Sequence, residues 1–440
     1  MRLYMKRTKI LCVAGVATVA LLAGCDITNP GPVQDQFLAE PASQQGLVNG
    51  SIRRMSELMG YGTYSQALLA REIFPGGQIG AFGHDVVMQG GHVRPGTQEA
   101  GYWGDAQQAR FIAETAIKRF TEVGAPPAMM HQAHLWAGYA YRVSGEWWCD
   151  AVIGDQDPEV TTPGSFEQGT NSYFLRAEQN FTAALGFAST NDQRSAALAG
   201  RAQARVWLGK WADASTDAAQ VADDFVFFVP YDDLEQAYYN SLYWANAYLP
   251  YGSYTMDFTW ATEYFAASGD PRTETVKDPA YPLAVGSLAG YGPVPWSNQT
   301  KYTSRSDDQR LASGKEMRLI QAEAILATSG AFAGAMTLIN EVHTSNISKS
   351  TGVALSAVTA TSATEAWTAL KNERAFELFL EGRRLADERR WTSAGTPGTV
   401  IESSVDWNTL SSIFSDNPRS FCFDIPNAER TANPNVPAIG

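Results

Sequence analysis

Apolar residues recur at intervals of three and four positions through most of the chain after residue 106. One such stretch holds Ala109, Ile112, Ala113, Ala116, Ile117 and Phe120. This spacing places apolar side chains on one face of a helix and polar side chains on the other. Similar stripes run near 133–141, 171–187 and 194–208, with short turns between them. The pattern predicts an all-α protein.

Two segments have the form of a helical hairpin. The segment 202–218 turns at Gly209, and the segment 317–342 turns at Gly330. Small residues at the helix contact and short glycine-containing turns are typical of tetratricopeptide-like hairpins. A strict 34-residue period does not fit the whole chain, so we expect degenerate hairpins and no unbroken superhelix.

Between residues 225 and 305 the helical spacing is lost and aromatic residues accumulate. Eleven of the 18 tyrosines lie in this segment, interleaved with Gly, Pro, Asn and Asp. Such composition marks turns and loops rather than another hairpin. We therefore expect an irregular, loop-rich aromatic lobe beside the helical hairpins.

Flat aromatic rings beside polar side chains suit a sugar, whose apolar C–H faces are ringed by hydroxyls. The aromatic lobe offers the candidate ligand contacts Tyr243, Trp244, Tyr254, Trp260 and Trp296, beside Asn240, Asn246, Asp257 and Asn298. The same aromatic residues can instead form the hydrophobic core of the lobe. Both interpretations remain open from the sequence.

The first 25 residues have the order of a bacterial lipoprotein signal. Four cationic residues precede an apolar run over 10–22, and Leu22-Ala23-Gly24-Cys25 follows. The run is too short to span a membrane and is typical of a secretory signal peptide. A cysteine at the cleavage site predicts lipidation of Cys25 with acyl chains such as palmitate. The alternative is an ordinary signal peptide with an incidental cysteine.

The net charge of the chain indicates which classes of ligand it can bind. The formal net charge is −13, and removal of the cationic signal would make the mature chain more acidic still. Such a chain is poorly suited to nucleic acid or to anionic lipid headgroups. We expect contact with the membrane through the lipid anchor only, and neutral or cationic ligands.

Two cysteines, Cys149 and Cys422, remain in the mature chain after lipidation of Cys25. In an oxidising compartment such a pair most simply forms one disulfide, and two separate buried thiols are the alternative. We expect no metal and no cofactor. The alternatives for a metal site are His131 with His134, or a loop with Asp155, Asp157 and Glu159.

The C-terminal third resembles a known family. The segment 371–391 reads KNERAFELFLEGRRLADERRW, similar to the helix E-R-x-x-E-L-x-x-E-G-x-R-x-x-D-L-x-R-W of the SusD/RagB family; Glu388 departs from it. Segments 316–340, 269–272 (Gly-Asp-Pro-Arg) and 425–434 resemble further motifs of that family, in its order along the chain. The matching signature residues include Glu373, Glu377, Glu381, Arg384, Asp387 and Trp391.

As one continuous helix, the signature segment would place six residues on one face: Glu373, Glu377, Leu380, Arg384, Asp387 and Trp391. Ion pairs are then expected for Glu381–Arg384 and Arg384–Asp387 at i,i+3 and for Arg384–Glu388 at i,i+4. Charges on a helix that packs inward must be paired. We therefore interpret the signature carboxylates as a buried structural network and not as a catalytic acid–base pair.

The resemblance implies a lipid-anchored protein at the outer-membrane surface, with no enzymatic activity. It implies capture of an oligosaccharide or another nutrient for a TonB-dependent (SusC-like) transporter. The predicted organisation is a signal peptide (1–24), a lipidated tether (25–50), a helical-hairpin region (51–225), the aromatic lobe (226–305) and a C-terminal helical region (306–440). A helical-repeat scaffold for protein partners is the first alternative, and a lipid-anchored glycosidase is the second.

Overall fold

The computed structural model describes residues 40–77, 84–96, 100–155, 157, 160–244 and 252–439. The predictions for the signal peptide, for Cys25 and for Asn246 lie outside these residues. The α-helices are α1 Pro41–Leu69, α2 Val86–Gln89, α3 Ala100–Val123, α4 Pro127–Trp147, α5 Asn171–Phe187, α6 Asn191–Trp207, α7 Trp211–Ala218, α8 Trp260–Ser268, α9 Gly314–Thr328, α10 Phe332–Thr344, α11 Ala363–Glu377, α12 Arg384–Ser393, α13 Trp407–Leu410 and α14 Asn427–Ala432.

Short strands connect distant parts of this helical framework. They form two-stranded antiparallel sheets: β1 Phe74–Pro75 with β5 Tyr254–Thr255, β2 Ala151–Ile153 with β3 Ser165–Glu167, β4 Val226–Val229 with β8 Gln309–Ser313, and β6 Thr275–Val276 with β7 Asn298–Gln299. No strand of the described residues exceeds five residues. The helical fold class predicted from the apolar spacing is confirmed.

Small residues let the N-terminal helices approach closely. Gly200 of α6 faces Phe181 of α5, and a Cβ atom at Gly200 would lie 2.3 Å from the Phe181 ring. Gly138 of α4 packs against the same ring. Because a larger side chain at either position would push the helices apart, the hairpin contacts depend on these glycines.

The predicted continuous signature helix is wrong, since the chain turns between α11 and α12. Leu380 and Gly382 adopt the left-handed region, with φ of 58° and 66°. A Cβ atom at Gly382 would come within 3.1 Å of Trp147, so the turn is also closely packed. The turn separates Glu377 at the end of α11, which contacts Arg272 and Arg310, from Asp387 in α12. Asp387 contacts Arg374 and Arg390.

Only one of the three ion pairs predicted for this segment forms. Arg384 pairs with Glu388 at 2.7 Å. Glu381 instead contacts Lys301, and Asp387 instead contacts Arg374. The turn explains the missing Glu381–Arg384 pair, because it removes the i,i+3 geometry between these two residues. Arg384 and Asp387 both lie within α12, where the Asp387 carboxylate contacts Arg374 and Arg390 instead.

The disulfide joins the end of α4 to the C-terminal tail. Cys149 and Cys422 are bonded, with their Cα atoms 5.2 Å apart. Beside this bond, Trp148 and Phe423 form a parallel bridge, and the Cys149 N–H donates to the Phe423 carbonyl at 2.9 Å. The C-terminal tail is thereby fixed to the end of α4. None of the helices in the described ranges is long and apolar enough to cross a membrane.

Candidate functional site

Four of the five candidate aromatic residues lie in the protein interior. The exposed fraction is 1% for Tyr254 and Trp260, 3% for Trp296 and 5% for Trp244. Tyr243 is half-buried and packs against the main core. The positions of the four buried side chains fit the alternative interpretation, in which these aromatic residues form the core of the lobe.

Tyr254 belongs to a buried polar cluster at the centre of the protein. Its hydroxyl lies 2.5 Å from Nδ1 of His84, and the Ser65 hydroxyl lies 2.8 Å from Nε2 of the same ring. Tyr64 stacks on His84 with ring centroids 4.9 Å apart. Burial lowers the pKa of His84 to about 3, so the imidazole stays neutral at physiological pH. The cluster connects α1 to the aromatic lobe.

The two buried tryptophans attach the lobe to its surroundings. Trp296 donates from Nε1 to the Tyr254 carbonyl at 3.1 Å. Trp260 lies beneath the Arg384 guanidinium, 5.0 Å from the ring centroid, and packs edge-on to Phe379 at 5.4 Å. Trp260 therefore joins helix α8 of the lobe to the signature segment.

Two of the polar candidates near these rings also have structural partners. Asn240 is buried and donates to the Asp307 carbonyl at 2.8 Å. Asp257 accepts from the Ser297 hydroxyl at 3.1 Å and pairs with Lys277 at 3.1 Å. Asn298 lies in β7, where it is half-buried. Asn240, Asp257 and the four buried rings thus lie in the interior, whereas Tyr243 and Asn298 are half-buried.

An exposed hairpin-like loop carries two accessible aromatic rings of the lobe. Residues 281–296, which we call the tyrosine hairpin, fold back on themselves through an antiparallel bridge between Leu283 and Pro295. A second bridge joins Leu288 to Gly292 near the tip. Tyr281 is 47% exposed and Tyr291 is 37% exposed.

Buried aromatic rings hold the two exposed tyrosines in place. Tyr281 packs edge-on to Trp296 with ring centroids 6.4 Å apart, and Tyr291 packs edge-on to Phe258 at 5.9 Å. Phe258 in turn packs edge-on to the fully buried Phe74 at 5.0 Å. Because the supporting rings are fixed, the exposed tyrosines lose little side-chain freedom when a ligand stacks on them.

Tyr281 and Tyr291 belong to the aromatic-rich segment, but the sequence reasoning did not single them out. The residues that flank these two tyrosines are the sequence feature that could have indicated their exposure. Pro282 follows Tyr281, and Gly290 and Gly292 enclose Tyr291. An aromatic residue between glycines or beside a proline lies in a turn, where its ring is more often exposed than in an apolar stripe.

The signature carboxylates form the predicted buried network with partners from distant segments. Arg272, from the Asp-Pro-Arg segment, pairs with Glu373 at 2.6 Å and with Glu377 at 3.2 Å. Arg310 of β8 also pairs with Glu377, at 2.9 Å. Burial alone would raise the pKa of Glu377, but the Arg310 and Arg272 guanidinium groups lower it below its ordinary value. The carboxylate therefore stays ionised in the interior.

The second half of the network is centred on Asp387. Its carboxylate contacts Arg374 at 2.8 Å and Arg390 at 2.9 Å. Against the effect of burial, these two cations lower the pKa of Asp387 to about 2. Arg390 also binds Glu323, which accepts from Nε1 of Trp391 at 2.7 Å. Paired, ionised carboxylates of this kind serve neither as a general acid nor as a nucleophile open to a substrate.

The alternatives for a metal site do not come together. Nδ1 of His134 contacts the Asn180 side chain at 3.0 Å, and Asp157 pairs with Lys118 at 2.8 Å. Glu159 lies outside the described residues. Within the described ranges there is no group of three His, Cys, Asp or Glu residues that can hold a metal ion.

Comparison with known proteins agrees with this architecture. Similar solved structures include a SusD-like carbohydrate-binding protein from Bacteroides fragilis, with 12% identity, a TM-score of 0.64 and coverage of 92% of this chain and 100% of its own. A SusD superfamily protein from Bacteroides thetaiotaomicron shows 14% identity, a TM-score of 0.64 and coverage of 90% and 99%. A laminarin-binding SusD-like protein shows 15% identity, a TM-score of 0.59 and coverage of 89% and 97%.

A search of curated proteins finds no match. The model of the SusD family matches residues 165–436, which is more than half of the chain and includes the aromatic lobe, the Asp-Pro-Arg segment and the signature segment. The chain belongs to the SusD family.

Proposed function

We propose that this protein is a lipid-anchored, non-enzymatic glycan-binding protein of the outer membrane that passes an oligosaccharide to a partner TonB-dependent transporter. The observation that carries the proposal is the pair of exposed, supported tyrosine rings on the tyrosine hairpin, in a member of the SusD family. The laminarin-binding description of one structural neighbour supports a glycan as the ligand. Lipidation of Cys25 and a cell-surface location complete the proposal.

The tyrosine hairpin has the chemistry that a sugar requires. The exposed faces of Tyr281 and Tyr291 offer apolar area to the C–H faces of a sugar ring, and their hydroxyls offer donors and acceptors to its edges. A neutral glycan also fits the acidic chain, since it carries no charge to be repelled. Binding on such rings needs no bond cleavage, so the ligand would be released intact to the transporter.

The two alternative functions differ from this proposal in what they require. Burial of four candidate aromatics favours a protein-interaction scaffold, which needs no exposed sugar platform. A glycosidase needs two carboxylates facing each other across a cleft at about 5–10 Å. The signature carboxylates Glu377 and Asp387 are instead buried and paired with arginine. The exposed tyrosines are the feature by which glycan capture can be distinguished from both.

A titration of the lipid-free protein, with Cys25 replaced, tests the proposal. Laminari-, malto- and cello-oligosaccharides are added in turn, and heat of binding is recorded. We expect saturable binding of at least one series. The double substitution Tyr281→Ala and Tyr291→Ala should weaken this binding at least about tenfold, because each ring contributes stacking area that alanine lacks.

The matched control is Phe111→Ala, which removes an aromatic ring of α3 that is 46% exposed. This variant should bind as the parent does. Equal binding by the double tyrosine variant would contradict the tyrosine hairpin as the platform. Failure of all three oligosaccharide series to bind would favour the scaffold alternative.

A further inference from the structure

A second cleft lies among the N-terminal helices, on elements different from those of the tyrosine hairpin. It is enclosed by α4, the start of α6 and strand β4, with Ile52 of α1 at one side. Its volume is about 650 Å³. That size falls within the range of about 300–1,000 Å³ that small-molecule sites occupy.

One wall of this cleft is aromatic and apolar. It is formed by Trp136 together with the half-buried Phe225 and Phe227. Trp136 contacts the Phe227 ring with centroids 5.4 Å apart, and Tyr139 stacks behind Phe227 at 5.1 Å. The ring of Phe227 is therefore fixed from behind and offers its remaining surface to the cleft.

The cleft also has polar lining residues, and no described lysine or arginine is among them. These residues include Gln132, Asn191, Asp192, Gln193 and Asp224. Carboxylate and amide oxygens dominate this set, so the cleft presents mainly hydrogen-bond acceptors. An anionic ligand would face two carboxylates, whereas a ligand rich in hydroxyl groups would find acceptors for its donors.

His131 adds an acceptor whose partner is missing within the described part of the protein. Its Nδ1 lies 2.9 Å from the Ala184 carbonyl, which can only accept, so Nδ1 carries the proton. Burial lowers the pKa of His131, so the ring is neutral and Nε2 keeps its lone pair. Nε2 is buried and has no hydrogen-bond partner among the described residues. A buried acceptor of this kind is costly unless a donor reaches it.

We propose that this cleft is a second binding site, which takes a single neutral sugar residue. The apolar wall at Phe225 and Phe227 meets the C–H face of the sugar, and a hydroxyl of the sugar donates to Nε2 of His131. The polar lining residues of the cleft bind the remaining hydroxyls. This site does not depend on the tyrosine hairpin, so it stands or fails separately from the proposed function.

Two substitutions perturb the cleft. In His131→Asn, the side-chain amide can still donate to the Ala184 carbonyl, but the acceptor at the Nε2 position is lost. In Ser195→Trp, a half-buried serine that lines the cleft is replaced by a ring that fills it. The matched control is Ser215→Trp, which places the same ring at a half-buried serine of α7 that is not among the cleft-lining residues.

The test is saturation-transfer NMR with glucose, galactose, mannose and xylose. It uses the protein that carries Tyr281→Ala and Tyr291→Ala, so that sugar bound at the tyrosine hairpin does not contribute. We expect a saturable signal from at least one sugar. Ser195→Trp should abolish this signal, His131→Asn should weaken binding about tenfold, and Ser215→Trp should leave it unchanged.

Either of two results would overturn the second site. One is that none of the four sugars gives a signal with the double tyrosine variant. The other is a signal that survives Ser195→Trp unchanged. Neither result bears on the tyrosine hairpin, whose own test uses oligosaccharides and the intact tyrosines.

Discussion

Replacing Glu72 by glutamine should make the protein less sensitive to alkaline pH. The Glu72 side chain is fully buried, and its Oε1 accepts the Leu380 N–H at 3.2 Å. Its Oε2 is buried without a hydrogen-bond partner among the described residues. Burial raises the pKa of Glu72 from its ordinary value of 4.5 to about 8, although the charge of Arg384 opposes this. The folded protein therefore holds this carboxyl group protonated at neutral pH.

The magnitude follows from the linkage between protonation and folding. Below pH 4.5 both the folded and unfolded states hold the proton, and Glu72 makes no pH-dependent contribution. As the pH rises from 4.5 to about 8, only the unfolded state releases the proton, so the free energy of unfolding falls. One pKa unit corresponds to about 1.4 kcal/mol, which gives a loss of about 5 kcal/mol above pH 8.

Urea denaturation at pH 5 and pH 9 measures this effect. Glutamine keeps an oxygen for the Leu380 N–H and cannot ionise. Between these two pH values, Glu72→Gln should gain about 4–5 kcal/mol of unfolding free energy relative to the parent. The control Glu122→Gln changes an exposed carboxylate of α3 and should follow the parent at both pH values. Parallel pH profiles for Glu72→Gln and the parent would refute the reasoning.

Two further predictions concern the charge network and the anchor. Asp387→Asn should lower the free energy of unfolding by about 3–5 kcal/mol at pH 7, because Arg374 would lose the buried Asp387 carboxylate as a partner. Urea denaturation at pH 7 measures this loss, and an unchanged midpoint would contradict the role of the network. In the parent, the stabilisation from Asp387 should disappear as the pH falls from about 4 toward 2, since its folded-state pKa is about 2. Cys25→Ser should abolish incorporation of labelled palmitate and release the protein from the membrane fraction; labelling that persists would contradict the anchor.

The helices were predictable from the sequence because their signal is local. The stripes near 171–187 and 194–208 closely match α5 and α6, since a period of 3.6 residues is readable within one segment. The nine-residue helix α8 was missed inside the aromatic lobe, because two turns are too short to display a stripe. Its boundaries are local too, with Thr259 as the N-cap and Gly269 at a φ of 67° after its end.

The partners of Glu373 and Glu377 were not predictable, because they come from far along the chain. Arg272 lies 101 residues before Glu373, and Arg310 lies 67 residues before Glu377. Spacing within a helix identifies only local pairs, so it suggested the Glu381–Arg384 contact, which the turn at Leu380 removes. Gly382 was the one local sign of that turn, since glycine is favoured at a positive φ.

Which aromatic residues are exposed likewise could not be predicted from the sequence. Composition identifies the lobe, but whether a ring faces solvent depends on what packs over it. Trp296 is covered in part by Tyr281, which takes the exposed position itself. Trp260 is covered by Arg384 from the signature segment. A substitution of Trp260 would therefore test packing, whereas substitution of Tyr281 tests ligand contact.

A crystal structure of the lipid-free protein with a bound oligosaccharide tests the central claim most directly. The oligosaccharide is the one that binds most tightly in the titration of laminari-, malto- and cello-oligosaccharides. We predict electron density for a sugar ring stacked on Tyr281 or Tyr291, with Trp296 and Phe258 unchanged beneath them. Density for the oligosaccharide only at sites away from the tyrosine hairpin would contradict the account.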